Sequence, residues 1–103
     1  MSYNTPEGKV KKKVVELLKA YKIWYFFPAN NGFGKAGIPD IIAIVDGVFV
    51  GIEVKADRTK KPTALQVKCG EEIRRAGAEW FLVCDDTSLL QVESYIRRHG
   101  YEK

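Results

Sequence analysis

The residues with the most chemistry to offer lie in one stretch, PDIIAIVDGVFVGIEVK, residues 39–55: two acids, Asp40 and Glu53, and a lysine, Lys55. Between two apolar runs stands Asp46-Gly47. Such a pair predicts a two-residue hairpin loop, because a type I′ turn needs positive φ at both central residues. Counting outward pairs Val45 with Val48, Ile44 with Phe49, Ile42 with Gly51 and Asp40 with Glu53. Opposed residues share a face of the sheet, and alternation along the strand puts Lys55 on the face of Glu53. The other face is then Ile41, Ala43, Val45, Val48, Val50, Ile52 and Val54. Two like charges directly opposed destabilise a sheet. A divalent cation between them turns that repulsion into attraction, and Mg²⁺ suits one or two carboxylates completed by waters and phosphate oxygens. The plainer account is that Asp40 only begins a strand after Pro39, while Glu53 pairs with Lys55 or faces solvent.

Pro39-Asp40 followed by Glu53-Val54-Lys55 resembles the PD-(D/E)XK nuclease signature. The wider order adds a helix carrying Glu7 in front, and a helix carrying Gln66 behind. It is similar to the virus-type replication-repair nuclease family, VRR-NUC. The resemblance runs from about Glu7 to the strand near Cys84, so residues 1–103 are expected to form one VRR-NUC-like domain. It implies an α/β fold with a restriction-endonuclease-like core, a mixed sheet flanked by helices. It also implies catalytic roles for Asp40, Glu53, Lys55, Gln66 and Glu7. By that likeness Mg²⁺ or Mn²⁺ is held by Asp40, Glu53 and the backbone carbonyl of Val54, with Glu7 assisting through water. Gln66 supports the lysine and the attacking water, and the products carry 5′-phosphate and 3′-hydroxyl ends. Stand-alone members look like Holliday-junction resolvases, in which a symmetric dimer cuts opposing strands. The implied partner is therefore DNA, in particular four-way junctions, bound by a homodimer working in replication, repair or recombination. The alternatives are a catalytically inactive DNA-binding module of the same fold and a non-selective DNA nickase.

The elements that must position these residues are legible in order. Thr5-Pro6-Glu7 reads as a helix start, and Val10, Val14, Leu17, Leu18 and Tyr21 give it a buried stripe. Glu7 lies on that stripe, and its ordinary explanation is the positive end of the helix dipole. Ile23 to Phe27 reads as a short buried strand, and Pro28 ends it. The loop ANNGFGKAGI then leads to Pro39 and matches no phosphate-binding loop. After the hairpin and the basic loop ADRTKKPT, Thr63 caps a helix whose stripe is Leu65, Cys69, Ile73 and Ala76, stopped by Gly77. Gln66 falls at the capping-box position, a sufficient structural reason for it. Glu79 to Cys84 is a fourth strand. Asp85 to Ser88 turn into a last helix bearing Leu89, Val92, Tyr95 and Ile96, which closes before Gly100. The order is α-β-β-β-α-β-α.

Composition narrows the function classes. The chain has 103 residues, 46% hydrophobic and 29% charged, with net charge +4; this suits a small folded domain with a polyanionic partner. Its single histidine, His99 near the C-terminus, excludes multi-histidine zinc hydrolases and counts against a Ser-His-Asp triad. Cys69 and Cys84 fit no metal spacing and read as buried thiols. No apolar run reaches the ~20 residues of a membrane span, and MSYNTPEGKVKKK lacks a signal-peptide core. The expected location is the cytoplasm of a bacterial or phage-infected cell. Lys9, Lys12 and Lys13 beside Glu7, Asn30, Asn31 and Lys35 before Asp40, and Arg58, Lys60 and Lys61 after Lys55 are the candidate DNA-backbone contacts.

Overall fold

A computed structural model of the chain describes residues 3–29 and 35–103. The order of elements is the expected one: α1 (Pro6–Ala20), β1 (Trp24–Phe26), β2 (Ile41–Val45), β3 (Val48–Val54), α2 (Ala64–Arg75), β4 (Glu79–Val83) and α3 (Asp86–Arg98). The four strands form one sheet in the order β1-β2-β3-β4. β1 with β2 and β2 with β3 are antiparallel, whereas β3 with β4 is parallel. Parallel neighbours need a crossover, and α2 supplies it.

Local chemistry sets the ends of these elements. Thr5 accepts the N–H of Gly8 at 2.9 Å, Pro6 opens α1, and Glu7 lies in the first turn. Asp85 accepts the N–H of Ser88 at 2.8 Å, and the Ser88 hydroxyl accepts back from the N–H of Asp85 at 3.1 Å. Asp46 and Gly47 take φ of 51° and 78°, so the hairpin turns on two left-handed residues as its sequence demands. The register is the counted one, with Val45 opposite Val48, Ile42 opposite Gly51 and Ile41 opposite Ile52.

That register sorts the sheet into two faces. Ile41, Ala43, Val45, Val50, Ile52, Val54 and Val83 join one buried cluster with Val14, Leu17, Leu18 and Tyr21 of the α1 side and Val92, Tyr95 and Ile96 of α3. Each Val, Leu and Ile side chain among them contributes about 1.5–3 kcal/mol by leaving water. On the opposite face α2 lies over β3 and β4. Gly70 rests against the Trp80 indole, where an added Cβ would stand 2.5 Å from Cδ2. The sheet is thus sandwiched between α1 and α3 on one side and α2 on the other.

Three sequence expectations need correction. The IWYFF segment does not form a buried strand. It gives the edge strand β1, in which Trp24 is 63% and Phe26 43% exposed. Ile23 alone is fully inside, while Tyr25 and Phe27 pack half-buried against the core. α2 covers β3 and β4 and leaves the β1 end of that face open, and strand propensity does not distinguish an edge from a centre. The α2 stripe is also rotated. Leu65 is exposed, as is Ala76, and the buried face is Cys69 and Gly70 with Gln66 and Ile73 half-buried. Glycine, invisible to an apolar count, makes the close contact. Of the two thiols Cys69 is buried and Cys84 only half-buried; both are free.

Candidate active site

The site is built at the open end of the hairpin, on the face that α2 covers. Pro39 is fully buried and sits on Gly51, so that a Cβ there would lie 2.7 Å from the proline Cγ. Asp40 follows, one residue before the Ile41–Ile52 pair, and therefore stands across from Glu53. Its Oδ2 accepts the backbone N–H of Val54 at 2.8 Å. The Asp40 side chain thereby extends the β2–β3 ladder past its last backbone pair. Because the N–H and C=O of one strand residue point to the same neighbour, the Val54 carbonyl is directed to the Asp40 side as well.

Glu53 is 1% exposed. Its Oε2 accepts from Gln66 Nε2 at 3.2 Å, while its Oε1 is buried and meets no hydrogen-bond donor. Burial is the main force raising its pKa, to about 9, followed by a hydrogen bond to the Asp40 carboxyl that needs the Glu53 proton, and then by the Asp40 charge; Lys55 pulls the other way, and Glu7 adds a little. A buried carboxyl in this position holds its proton at neutral pH. An orphaned, desolvated oxygen beside a second carboxyl is the donor set a hard divalent cation takes. The residues present therefore fit Mg²⁺ or Mn²⁺.

Gln66 occupies the first turn of α2 through both ends of its carboxamide. Oε1 accepts the N–H of Thr63 at 2.8 Å, completing the capping box, and Nε2 reaches Glu53. The helix cap and the site contact are thus one side chain. Lys55 is half-buried just beyond β3, with its own N–H bonded to the Val83 carbonyl at 3.0 Å. Its ammonium is close enough to act on Glu53. Glu7 is exposed at the start of α1 and reaches Glu53 only through its charge. Among the described residues no three His, Cys, Asp or Glu side chains gather in a group that could hold a metal ion. Asp40 and Glu53 stand as a pair, with Glu7 outside it.

Against known proteins, no family model matches the chain, and no curated protein matches it significantly. A solved structure described as "VRR_NUC domain" does match, at 30% identity and a TM-score of 0.76, over 87% of this chain and 96% of that one. The chain belongs to the VRR_NUC family. VRR_NUC domains are nucleases, and the mixed four-stranded sheet with three helices is a nuclease-like fold.

Within this VRR_NUC domain the candidate DNA contacts divide. Lys9, Lys12, Lys60 and Lys61 are exposed. Lys13 pairs with Asp86 at 3.1 Å, Lys35 with Glu72 at 3.2 Å and Arg58 with Asp85 at 3.7 Å. Asn30 and Asn31 lie outside the described residues. Sequence reasoning missed the packing that presents the acids, namely Pro39 on Gly51 and Gly37 against the start of α2. The Gly-x-Pro-Asp spacing at 37–40 was the available signal. No helix among the described residues is long and apolar enough to cross a membrane.

Proposed function

We propose that this VRR_NUC domain is a metal-dependent, structure-selective DNA endonuclease, resolvase-like, acting in replication, repair or recombination. One observation carries the reading: the buried, unpartnered Oε1 of Glu53 stands beside the Asp40 carboxyl, with the Lys55 ammonium at hand. Asp40, Glu53 and the Val54 carbonyl would hold Mg²⁺ or Mn²⁺, with Glu7 assisting through water. The bound ion supplies charge neutralisation at the phosphoryl oxygens and the leaving O3′, and makes a bound water more acidic.

The remaining work falls to the chain itself. Lys55 orients the attacking water against the scissile phosphate, and its ammonium offsets the negative charge that builds on the phosphoryl oxygens. Gln66 fixes the carboxylate plane of Glu53 from behind, the usual task of a group hydrogen-bonded to a metal ligand. Lys9, Lys12, Lys60 and Lys61 hold backbone phosphates and set the register of the DNA. Lys13, Lys35 and Arg58 are engaged in ion pairs of their own, and we leave them out of that set. Cutting both strands of a four-way junction calls for two sites related by a two-fold axis. We assign that pairing to the β1 edge, with its exposed Trp24 and Phe26.

The test is parallel digestion of four-way junction, flap, nicked and linear duplex DNA with Mg²⁺ or Mn²⁺, with Lys55→Ala as control. Preferential cutting of the junction supports the full reading. Binding without cutting in either metal would replace it by a DNA-binding module.

A further inference from the structure

The stretch that delivers Asp40 to the site is held at three places, two on α2 and one on β3. Lys35 Nζ pairs with Glu72 at 3.2 Å, across an exposed surface. Gly37, at φ +79°, lies flat on the first turn of α2. A Cβ there would collide with the Leu65 carbonyl oxygen and stand 2.9 Å from the backbone nitrogen of Gln66. Pro39 then wedges onto Gly51, over which Ile73 also closes, 3.3 Å from where a Cβ would be. The first two anchor points, Glu72 and the Leu65–Gln66 peptide, belong to α2, and the third, Gly51, lies on β3 under the same helix's Ile73.

The same helix carries Gln66, whose Nε2 holds Glu53. The same stretch ends in Asp40, whose Oδ2 holds the Val54 amide. The two acids are thus positioned by one body. Asp40 arrives from the β2 side and Glu53 is fixed from the α2 side, and residues 35–39 close the two together. A side chain at 37 would lift the stretch off the helix even if its backbone tolerated positive φ. The position therefore requires glycine for space and not only for torsion.

We propose that Gly37 and Lys35 are positioning residues of the site, seating residues 35–39 on α2 so that the Asp40 and Glu53 carboxyls keep a fixed spacing; this rests on the nuclease reading for its consequence but not for its measurement. On this account Lys35 is a strap to Glu72 and not a phosphate contact.

The Val54 amide reports the seating without metal or DNA. Its hydrogen-exchange rate is compared, in EDTA, with that of Ile52, two residues back on β3. The Mn²⁺ dissociation constant is measured by calorimetry on the same full-length variants. Gly77→Ala is the control, because Gly77 has φ +92° with nothing within 4 Å of an added Cβ. It carries the torsional cost alone and should leave both readouts as in the wild type. Gly37→Asn, a residue that tolerates left-handed φ, should speed exchange at Val54 relative to Ile52 by about tenfold, a local opening. It should also weaken Mn²⁺ binding by about tenfold, as loss of support behind a ligand does. Lys35→Glu and Glu72→Lys should each raise the Val54 ratio about threefold, and the double reversal should restore it, as for a directly coupled pair.

A Gly37→Asn protein with an unchanged ratio overturns the proposal. So does a double reversal that fails to recover, the result expected if Lys35 serves DNA. If Gly37→Asn does not fold, the exposed charge pair decides alone. A wild type that never cuts DNA would sink the nuclease reading and leave the Val54 ratio free to uphold or overturn the strap.

Discussion

Gln66 and Glu53 are joined by a hydrogen bond of 3.2 Å that also ties a helix cap to a buried acid. The carboxamide oxygen serves Thr63 and the nitrogen serves Glu53, so one side chain has a stability role and a site role. Two substitutions separate them. Thr63→Ala and Gln66→Ala should each cost roughly 0.5–2 kcal/mol through the cap, read by urea denaturation. Only Gln66→Ala should slow single-turnover cleavage, by about 10- to 100-fold. Equal slowing by both would mean that Gln66 acts through the helix alone.

Metal binding should release a proton. Glu53 has its pKa raised from 4.5 to about 9 in the folded, metal-free chain, so it must deprotonate to become a ligand. Mn²⁺ affinity should then rise with pH, by up to about tenfold per unit, until the pH reaches that value. The stability of the metal-free protein runs the opposite way. Between the two pKa values the folded state binds more protons than the unfolded state, so stability is full below about 4.5 and falls as pH climbs towards about 9. Calorimetry in two buffers of different ionisation enthalpy at pH 7.5 checks the proton count, and urea midpoints across the range check the slope.

Asp40→Asn should raise the stability of the metal-free protein and weaken Mn²⁺ binding. The pair is like-charged only once Glu53 has ionised, above about pH 9, so the gain, a few tenths to about 1 kcal/mol, is expected there, while an amide oxygen still accepts the Val54 N–H. Thermal denaturation in EDTA and calorimetric titration measure the two effects on one sample. Unaltered Mn²⁺ affinity would remove Asp40 from the ligand set.

Lys55→Ala should abolish cleavage, by about 10²-fold or more, with Mn²⁺ and junction binding close to wild type. Single-turnover rates and gel-shift titrations give both numbers. Near-normal cutting would take the assigned role from this lysine.

On the proposed pairing of two copies through β1, Trp24→Lys should leave the fold intact and give a monomer where the wild type is a dimer, read by light scattering behind a sizing column. A charge on an exposed edge strand blocks strand-to-strand pairing. A variant that stays dimeric would place the two-fold contact elsewhere.

The sequence was most readable where one local rule left a single solution. Asp46-Gly47 allowed one turn type, and that turn placed every residue of the hairpin, including Asp40 across from Glu53. Thr5, Thr63 and Asp85 marked helix starts because their side chains answer nearby backbone N–H groups. Trp24 and Phe26 were misjudged because an aromatic strand has the same composition at the edge of a sheet as at its centre. Which helix covers which strand is decided by packing between distant segments, here by Gly70 accepting the face of Trp80. The three straps on residues 35–39 were hidden for the same reason. Lys35 reads as a candidate phosphate contact from its neighbours in sequence, and its ion-pair partner Glu72 lies a whole hairpin and half a helix away.

The crossover between β3 and β4 has a bearing on when the chain becomes hazardous to DNA. Glu53 precedes α2 in the chain, yet its burial and its hydrogen bond both wait for α2 to dock. A nascent or half-folded polypeptide presents Asp40 and Glu53 to water as ordinary, independently hydrated acids. On the proposed function, cutting power would therefore be acquired only once α2 has docked, and products that lack α2 would be inert.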